Sequence, residues 1–263
     1  MRFAVLYSRK DTAGMNIAKQ LKSFFLPQIP RIKLFKDSIN AERVDKMPEL
    51  RNSDFLVFAT KHKSRETRKT LSLHAPGNWR NADFGGKESK VCPTSALILK
   101  FLFQQLNKNA TQAGSDYQVT LECTHHGPYL EKPCCFIEIG SGEEQWQDEK
   151  AGKIIAKTIS DLQNYQKKYN GHKVAIGLGG PHYCPNFNKI QLGSDYAMGH
   201  VIPEYSLPLT EPIIKQAIEK TEENVDTILL DWKGLGKSEE RQKTLDLLKH
   251  LGLGFKRTSE VEK

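Results

Sequence analysis

No apolar run in this 263-residue chain approaches the roughly 20 residues needed to cross a bilayer as a helix. The opening segment, MRFAVLYSRKD, carries a short apolar run and then charge. A secretory leader would need an apolar stretch of about 7–15 residues and a cleavage site, so a buried first strand and a cytoplasmic protein are expected. Cysteine is scarce: there are five, two of them adjacent (Cys134 and Cys135), with no C-x-x-C. That argues against a disulfide framework and against a Cys-rich structural zinc site. There is no Pro/Ser/Gly-rich linker, internal repeat or low-complexity tract, which points to one domain over residues 1–263. A G-x-S-x-G elbow, a Walker loop and a G-x-G-x-x-G opening a helix are all missing. So are zinc-finger, RNP and helix-turn-helix signatures.

What is present is charge of one sign in excess. The formal net charge is +8 and the pI about 9.1, a balance that favours a polyanionic partner. Basic runs include KHKSRETRK at 61–69 and QKKYNGHK at 166–173. With no base-reading motif, RNA is expected to be held through its backbone or shape.

Short apolar segments bounded by polar turns read as strands at 3–8, 54–60, 117–124, 134–140, 173–180 and 226–234. Helical periodicity falls at 14–25, 93–108, 142–169, 211–223 and 239–250, with Gly171 as C-cap of the longest and Thr210 and Ser238 as N-caps of the last two. Alternating strands and helices imply an α/β fold with a mixed, mostly parallel sheet and helices on both faces. The strands at 117–124 and 134–140 are too close in sequence for a helical crossover, so they should be antiparallel or not adjacent.

Polar residues collect past the ends of these strands: Ser8, Lys10 and Asp11; Thr60, Lys61 and His62; Glu122, His125 and His126; Glu138 and Ser141; His182 and Tyr183; Asp231 and Lys233. Ligands of open α/β sheets sit outside the carboxyl ends of strands, and a crevice there is expected. A strand 117–124 running against its neighbours would remove its residues from that crevice.

The stretch THHGP at 124–128 places two imidazoles side by side. On an extended chain neighbours point to opposite faces, so one of His125 and His126 is expected in the site and the other packed or solvated. Glu138, inside the apolar CCFIEIG, needs a histidine, lysine, metal or substrate amine beside it. GLGGPHYCPNF at 177–187 has glycines after a strand, suited to close approach by a ligand, while Pro181 and Pro185 are expected to stop a helix. Trp79 and Phe84, in HAPGNWRNADFGGK, could line a pocket, stack on a base or pin a long loop. His with Glu or Cys could hold a catalytic zinc with an open position, though His74, His125, His126, His182 and His200 are far apart in sequence and no H-x-x-x-H exists. A thiol mechanism through Cys123 or Cys184 has little support, because sequence neighbours rarely make a nucleophile–base pair.

Together, THHGP, FIEIGSGEEQW with the following DEKAGKIIAKTI, HAPGNWRNADFGG, GLGGPHYCPNF, GHVIPEY, DWKG and SRKDTAGMNIAKQL resemble the archaeal and plant type of D-aminoacyl-tRNA deacylase, nearly end to end. The resemblance implies hydrolysis of the ester between a D-amino acid and the terminal ribose of tRNA, with broad side-chain tolerance. It also implies a monomer, zinc dependence, and a phosphorylase/hydrolase-like fold similar to that of peptidyl-tRNA hydrolases. On this reading His125, His126, Glu138 and His182 are the catalytic candidates. Lys10, Asn16, Asn78, Trp79, Ser141, Gly179, Gly180 and Tyr183 are the substrate-binding candidates, and His125, His126, His182 and His200 the metal candidates. Competing expectations are a peptidyl-tRNA hydrolase-like enzyme, a non-catalytic tRNA-binding module, and a nucleoside phosphorylase-like enzyme.

Overall fold

The computed structural model describes residues 1–165 and 171–262. Strands β1 (Phe3–Ser8), β2 (Arg31–Leu34), β3 (Phe55–Lys63), β4 (Thr70–His74), β7 (Gln118–Leu121) and β8 (Cys134–Ser141) form a six-stranded sheet in the order β2-β1-β3-β8-β4-β7. Strands β5 (Gly77–Asn78) and β6 (Lys90–Val91) make a small antiparallel ribbon. Strands β9 (Lys173–Leu178), β10 (Tyr196–Ile202), β11 (Thr227–Leu230) and β12 (Phe255–Arg257) form an all-parallel sheet in the order β10-β9-β11-β12. The expected mixed, mostly parallel arrangement is present, divided between two sheets. As expected, β7 and β8 are not neighbours: β4 lies between them, parallel to β7 and antiparallel to β8.

The helices follow their local chemistry. Asp11 caps α1 (Thr12–Gln20) by accepting from the Gly14 N–H, and Ser95 caps α2 (Ala96–Gln112) by accepting from Ile98. The long helical pattern from 142 divides into α3 (Glu143–Gln147) and α4 (Glu149–Ser160), because Asp148 leaves the helical region and caps α4 through the Lys150 and Ala151 N–H groups. The part of that pattern at 166–169, like most of the basic run at 166–173, lies outside the described residues. Pro185 does not stop a helix. It begins α5 (Pro185–Gly193), where its missing N–H costs nothing. Helices α6 (Glu211–Glu219) and α7 (Ser238–His250) complete the seven α-helices among the described residues; Lys237, not Ser238, is the N-cap of α7.

Register decides where function can sit. Val57, Ala59, Ile137, Ile139, Leu71 and Leu73 belong to one core cluster with residues of α1, α2 and α4, so these helices cover one face of the six-stranded sheet. The in-register partners Phe58–Phe136–His74 and Thr60–Glu138–Ser72 lie on the other face. There the apolar end, with Leu56, Phe58 and Phe136, is covered by a segment carrying Ala41, Val44 and Leu50, built of short 3₁₀ turns. Helices on both faces hold for the four-stranded sheet, between the cluster of α6 and α7 and that of α2 and α5. The six-stranded sheet carries its α-helices on one face and leaves the polar half of the other open.

Candidate active site

On that open half three strands and two loops deliver seven ionisable side chains: His62 from β3, Glu138 from β8, His74 from β4, Glu122, His125 and His126 from the segment after β7, and His182 from the loop after β9. His62 Nδ1 lies 3.2 Å from Glu122 Oε1 and 3.6 Å from Glu138 Oε2. His182 Nε2 is 3.2 Å from Glu122 Oε2, His125 Nε2 is 3.5 Å from the same oxygen, and His74 Nε2 is 3.7 Å from Glu138 Oε2. Thr60 donates to Glu138 Oε1 at 2.6 Å, and the Tyr183 hydroxyl meets His62 Nε2 at 2.9 Å.

Both histidines of THHGP face this centre, contrary to the expectation from extended geometry. His126 sits at φ 45°, a left-handed conformation that breaks the strand alternation and brings its ring centroid 4.3 Å from that of His125. Such a backbone persists only where its surroundings hold it. Here the Gly77 N–H donates to the His126 carbonyl at 2.7 Å and the Gly127 N–H to Phe84 O at 3.0 Å. A Cβ on Gly127 would lie 2.2 Å from the Gly86 nitrogen, so only glycine lets the 74–87 loop clamp this turn.

The segment after β7 does follow a strand that runs against β8, yet it stays in the site. The cluster lies on the face of the sheet, beside Phe136 and Glu138, rather than beyond one edge. His62 and Glu122, expected in the strand-end crevice, and His74, weighed only as one of the scattered histidines, were not among the catalytic or metal candidates. His74 sits at the end of β4, a strand hidden by the basic run before it, and His62 lies inside that run. Its alternation with Thr60 is the signal that could have revealed it.

Burial works against charge on His62, but hydrogen bonding to Glu122 and Glu138 pushes its pKa up to about 10. His182 is likewise opposed by burial and raised to about 10 by Cys123 and Glu122. Burial alone would raise Glu122 and Glu138; their histidine partners hold both carboxyls below the ordinary range. His125 and His126 go the other way: burial and the neighbouring imidazoles keep them neutral, His126 down to about 4.

Several remaining candidates lie apart or are held by other bonds. His200 is fully buried, with Nδ1 on Thr124 Oγ1 and Nε2 on the Lys220 carbonyl, and takes no part in the cluster. Asn16 donates to the Trp146 and Asp148 carbonyls and so pins α1 to α3 and α4. The Ser141 hydroxyl ties down the 66–68 turn. The Gly179 amide donates to the Ile202 carbonyl, so it is not a free oxyanion donor. Gly180 (φ 89°) faces Asp231, and its Cβ position is 3.0 Å from that carboxylate. Lys10 is exposed beside Asp11, whose carboxyl lines the site cavity and is raised by burial to about 6. Asn78 donates to the Gly85 and Lys87 carbonyls, and Trp79 packs edge-on to His200; both line a cavity behind the cluster.

That cavity, of about 460 Å³, and a second of about 470 Å³ lined by Ile39, Phe84, Phe136 and Glu138, share His125, His126 and His182 as a common wall. The wall is suited to a cation. His74, His125 and His126 each donate Nδ1–H to a backbone carbonyl, of Ala75, Cys123 and Gly127, at 3.1, 2.9 and 2.6 Å. That fixes the tautomer and leaves Nε2 as the lone-pair nitrogen, the second-sphere pattern of metal-binding imidazoles. One ring nitrogen from each lies within 4.8 Å of the others. His74 Nε2, both Glu122 oxygens and Glu138 Oε2 are buried without an aligned hydrogen bond. Buried acceptors left this way are costly, and a metal ion is one partner that would satisfy them.

A family model described as D-aminoacyl-tRNA deacylase matches residues 50–256. The chain is 41% identical over 204 residues to the D-aminoacyl-tRNA deacylase of Thermococcus kodakarensis, covering 77% of this chain and 73% of that protein. It is 34% identical over 270 aligned positions to that of Methanocaldococcus jannaschii, covering 98% and 100% of the two chains. Its fold is similar to the crystal structure of AF0625, a conserved protein of unknown function, with a TM-score of 0.90 at 28% identity over 99% of this chain and 96% of that one. By the extent of the family match and of these identities, the chain belongs to the D-aminoacyl-tRNA deacylase family.

Proposed function

We propose that this protein hydrolyses the ester joining a D-amino acid to the terminal ribose of tRNA, as a cytoplasmic monomer with broad side-chain tolerance. The observation that carries the reading is the histidine–carboxylate wall between two cavities. The cavity lined by Ile39, Phe84 and Phe136 takes the amino-acid side chain, and the one lined by Asn78 and Trp79 takes the terminal adenosine. The net charge of +8 attracts the tRNA backbone.

An aminoacyl ester is already reactive, so water activation, oxyanion stabilisation and positioning suffice. Glu138 accepts a proton from the attacking water at Oε2, the oxygen with no aligned donor, while Thr60 fixes the other oxygen. The water oxygen bonds to the ester carbon, giving a tetrahedral oxyanion that then expels the ribose oxygen. His182, kept protonated beside Glu122, returns a proton to that leaving oxygen. Glu122 holds His62 and His182 in place, and Tyr183 fixes His62 from the far side. His74, His125 and His126 would hold zinc, a donor set of the catalytic type. The bound metal supplies Lewis-acid polarisation of the carbonyl and a more acidic water.

The test compares release of D-tyrosine and L-tyrosine from charged tRNA by the protein before chelation, after chelation and after zinc is restored. D-selective release that is lost and then regained supports both reading and metal. D-selective release untouched by chelation removes zinc and keeps the hydrolase. No release from the D-ester, with turnover of N-blocked L-aminoacyl-tRNA, replaces the reading with a peptidyl-tRNA hydrolase.

A further inference from the structure

A cleft of about 530 Å³ lies at the carboxyl ends of β11 and β12, bounded on its far side by α5. It shares no lining residue with the two cavities of the histidine wall. Helix α5, after β9, packs in one core cluster, and α7, after β11, packs in the other. The connections therefore leave on opposite faces of the sheet, and open α/β sheets bind ligands in the crevice at such a reversal.

The lining is specific in character. Lys189, Lys233 and Arg257 are exposed on it, and no carboxylate of the described residues pairs with any of them. The Arg257 guanidinium lies 3.8 Å from the centroid of the Trp232 ring, with Arg241 at 5.2 Å from the same ring. A guanidinium laid on an indole keeps its donor edge free and loses little freedom on meeting a phosphate. Beside these cations sits Asp231, 4% exposed, which accepts from Asn186 Nδ2 at 3.0 Å. Thr258 and Ser259 line the same cleft. A bare anion would be repelled by Asp231 and Glu262. A ligand with both phosphate charge and hydroxyl donors fits both halves, as ribose hydroxyls do on the strand-end carboxylate of dinucleotide-binding folds. A ribonucleotide has that chemistry.

The cleft is also placed along a path to the histidine wall. Gly180 packs on Asp231, and His182 follows two residues later, at most about 8 Å away along the backbone. We propose that this cleft is a nucleotide subsite that holds the phosphate and ribose of a residue in the single-stranded 3′ end of the substrate RNA, one or two nucleotides from the ester. The assignment rests on the hydrolase reading above, since it names how that substrate is gripped.

The test uses two substrates, D-tyrosyl-tRNA and the D-tyrosyl ester of adenosine, which ends before the cleft. Wild type, Arg257→Ala and Lys233→Ala are compared by kcat and KM. Each variant is expected to raise KM for the tRNA about tenfold with kcat within twofold, so that the ratio of kcat/KM between tRNA and adenosine ester falls about tenfold. Each should also lower the slope of log KM against log salt by about 1. Because Arg257 lies on an edge strand and Lys233 on a short 3₁₀ turn, both exposed, misfolding of one variant leaves the other to decide. An unchanged ratio in a wild type that does cleave the D-ester overturns the subsite alone. A parallel loss on both substrates also overturns it, by showing that the substitutions disturb the histidine wall. Wild type that cleaves neither ester overturns the hydrolase reading and the subsite together.

Discussion

Strand β8 carries two proteins' worth of chemistry on its two faces. Cys135, Ile137 and Ile139 are fully buried under α1, α2 and α4, in an apolar cluster. Phe136 and Glu138, one residue out of phase, look the other way onto His62, His74 and His126. Burial alone does not separate the faces, since Glu138 is only 2% exposed. The difference lies in what each burial does. Removing apolar surface from water stabilises the fold outright. Burying Glu138 is tolerated because the His62 imidazole and the Thr60 hydroxyl answer it, and one of its oxygens remains without an aligned donor. Stability comes from one face and reactivity from the other, and a one-residue slip of register would exchange them.

This contrast can be broken in four places. The largest effect is expected from Ile137→Ala, which should cost about 3–4 kcal/mol in urea unfolding through lost burial and a cavity, while the remaining folded protein keeps its kcat. A loss of kcat with full stability would show that the two faces are not separable.

Next is pH. His200 is a buried imidazole of the structural kind, lowered to about 4 by burial. Its folded pKa lies below the unfolded value near 6.5, so the unfolded chain takes up the proton first as pH falls. Stability is therefore full above about 6.5 and declines towards 4, by about 3 kcal/mol for this one group. His125 and His126 share the sign, so the check is a difference: His200→Gln should flatten the acid limb of stability against pH by one proton's worth. Identical slopes would remove His200 from the account.

A smaller energy, read as rate, is expected for Glu138→Gln and His182→Ala. Each should lower kcat for D-tyrosyl-tRNA at least about tenfold while cooperative unfolding persists. Near-native rates in both would displace the site from this face. The smallest effect belongs to Asn16→Ala, which removes two hydrogen bonds to backbone carbonyls. It should cost about 1 kcal/mol of stability and leave KM unchanged. A large rise in KM would return Asn16 to the substrate.

Much of this was legible without coordinates where local chemistry decides. Strand β1, the helices under Ile17, Leu102 and Ile155, and the exclusion of β7 and β8 as parallel neighbours follow from periodicity and connection length. Glu138 announced itself as a charge in an apolar strand. Strands β4 and β10 escaped, the first because TLSLH is short and follows a basic run, the second because YAMGHVI carries a histidine whose ring nitrogens are both bonded inside the core. His200 and His182 look alike in sequence, each shortly after a glycine. One is capped by Thr124 and Lys220, and the other meets Glu122.

The sequence by itself determined the composition of the site and the family: which imidazoles and carboxylates exist and the motifs around them. The tertiary structure alone decided which of them meet. Register across β3, β8 and β4 aligned His62, Glu138 and His74 on one face. A left-handed His126, held by a glycine clamp from the 74–87 loop, brought in the second ring of THHGP. The reason is physical. Alternation and capping act over a few residues, while the cost of a buried charge is answered by partners 60–78 positions away along the chain, and only the folded chain fixes those pairs.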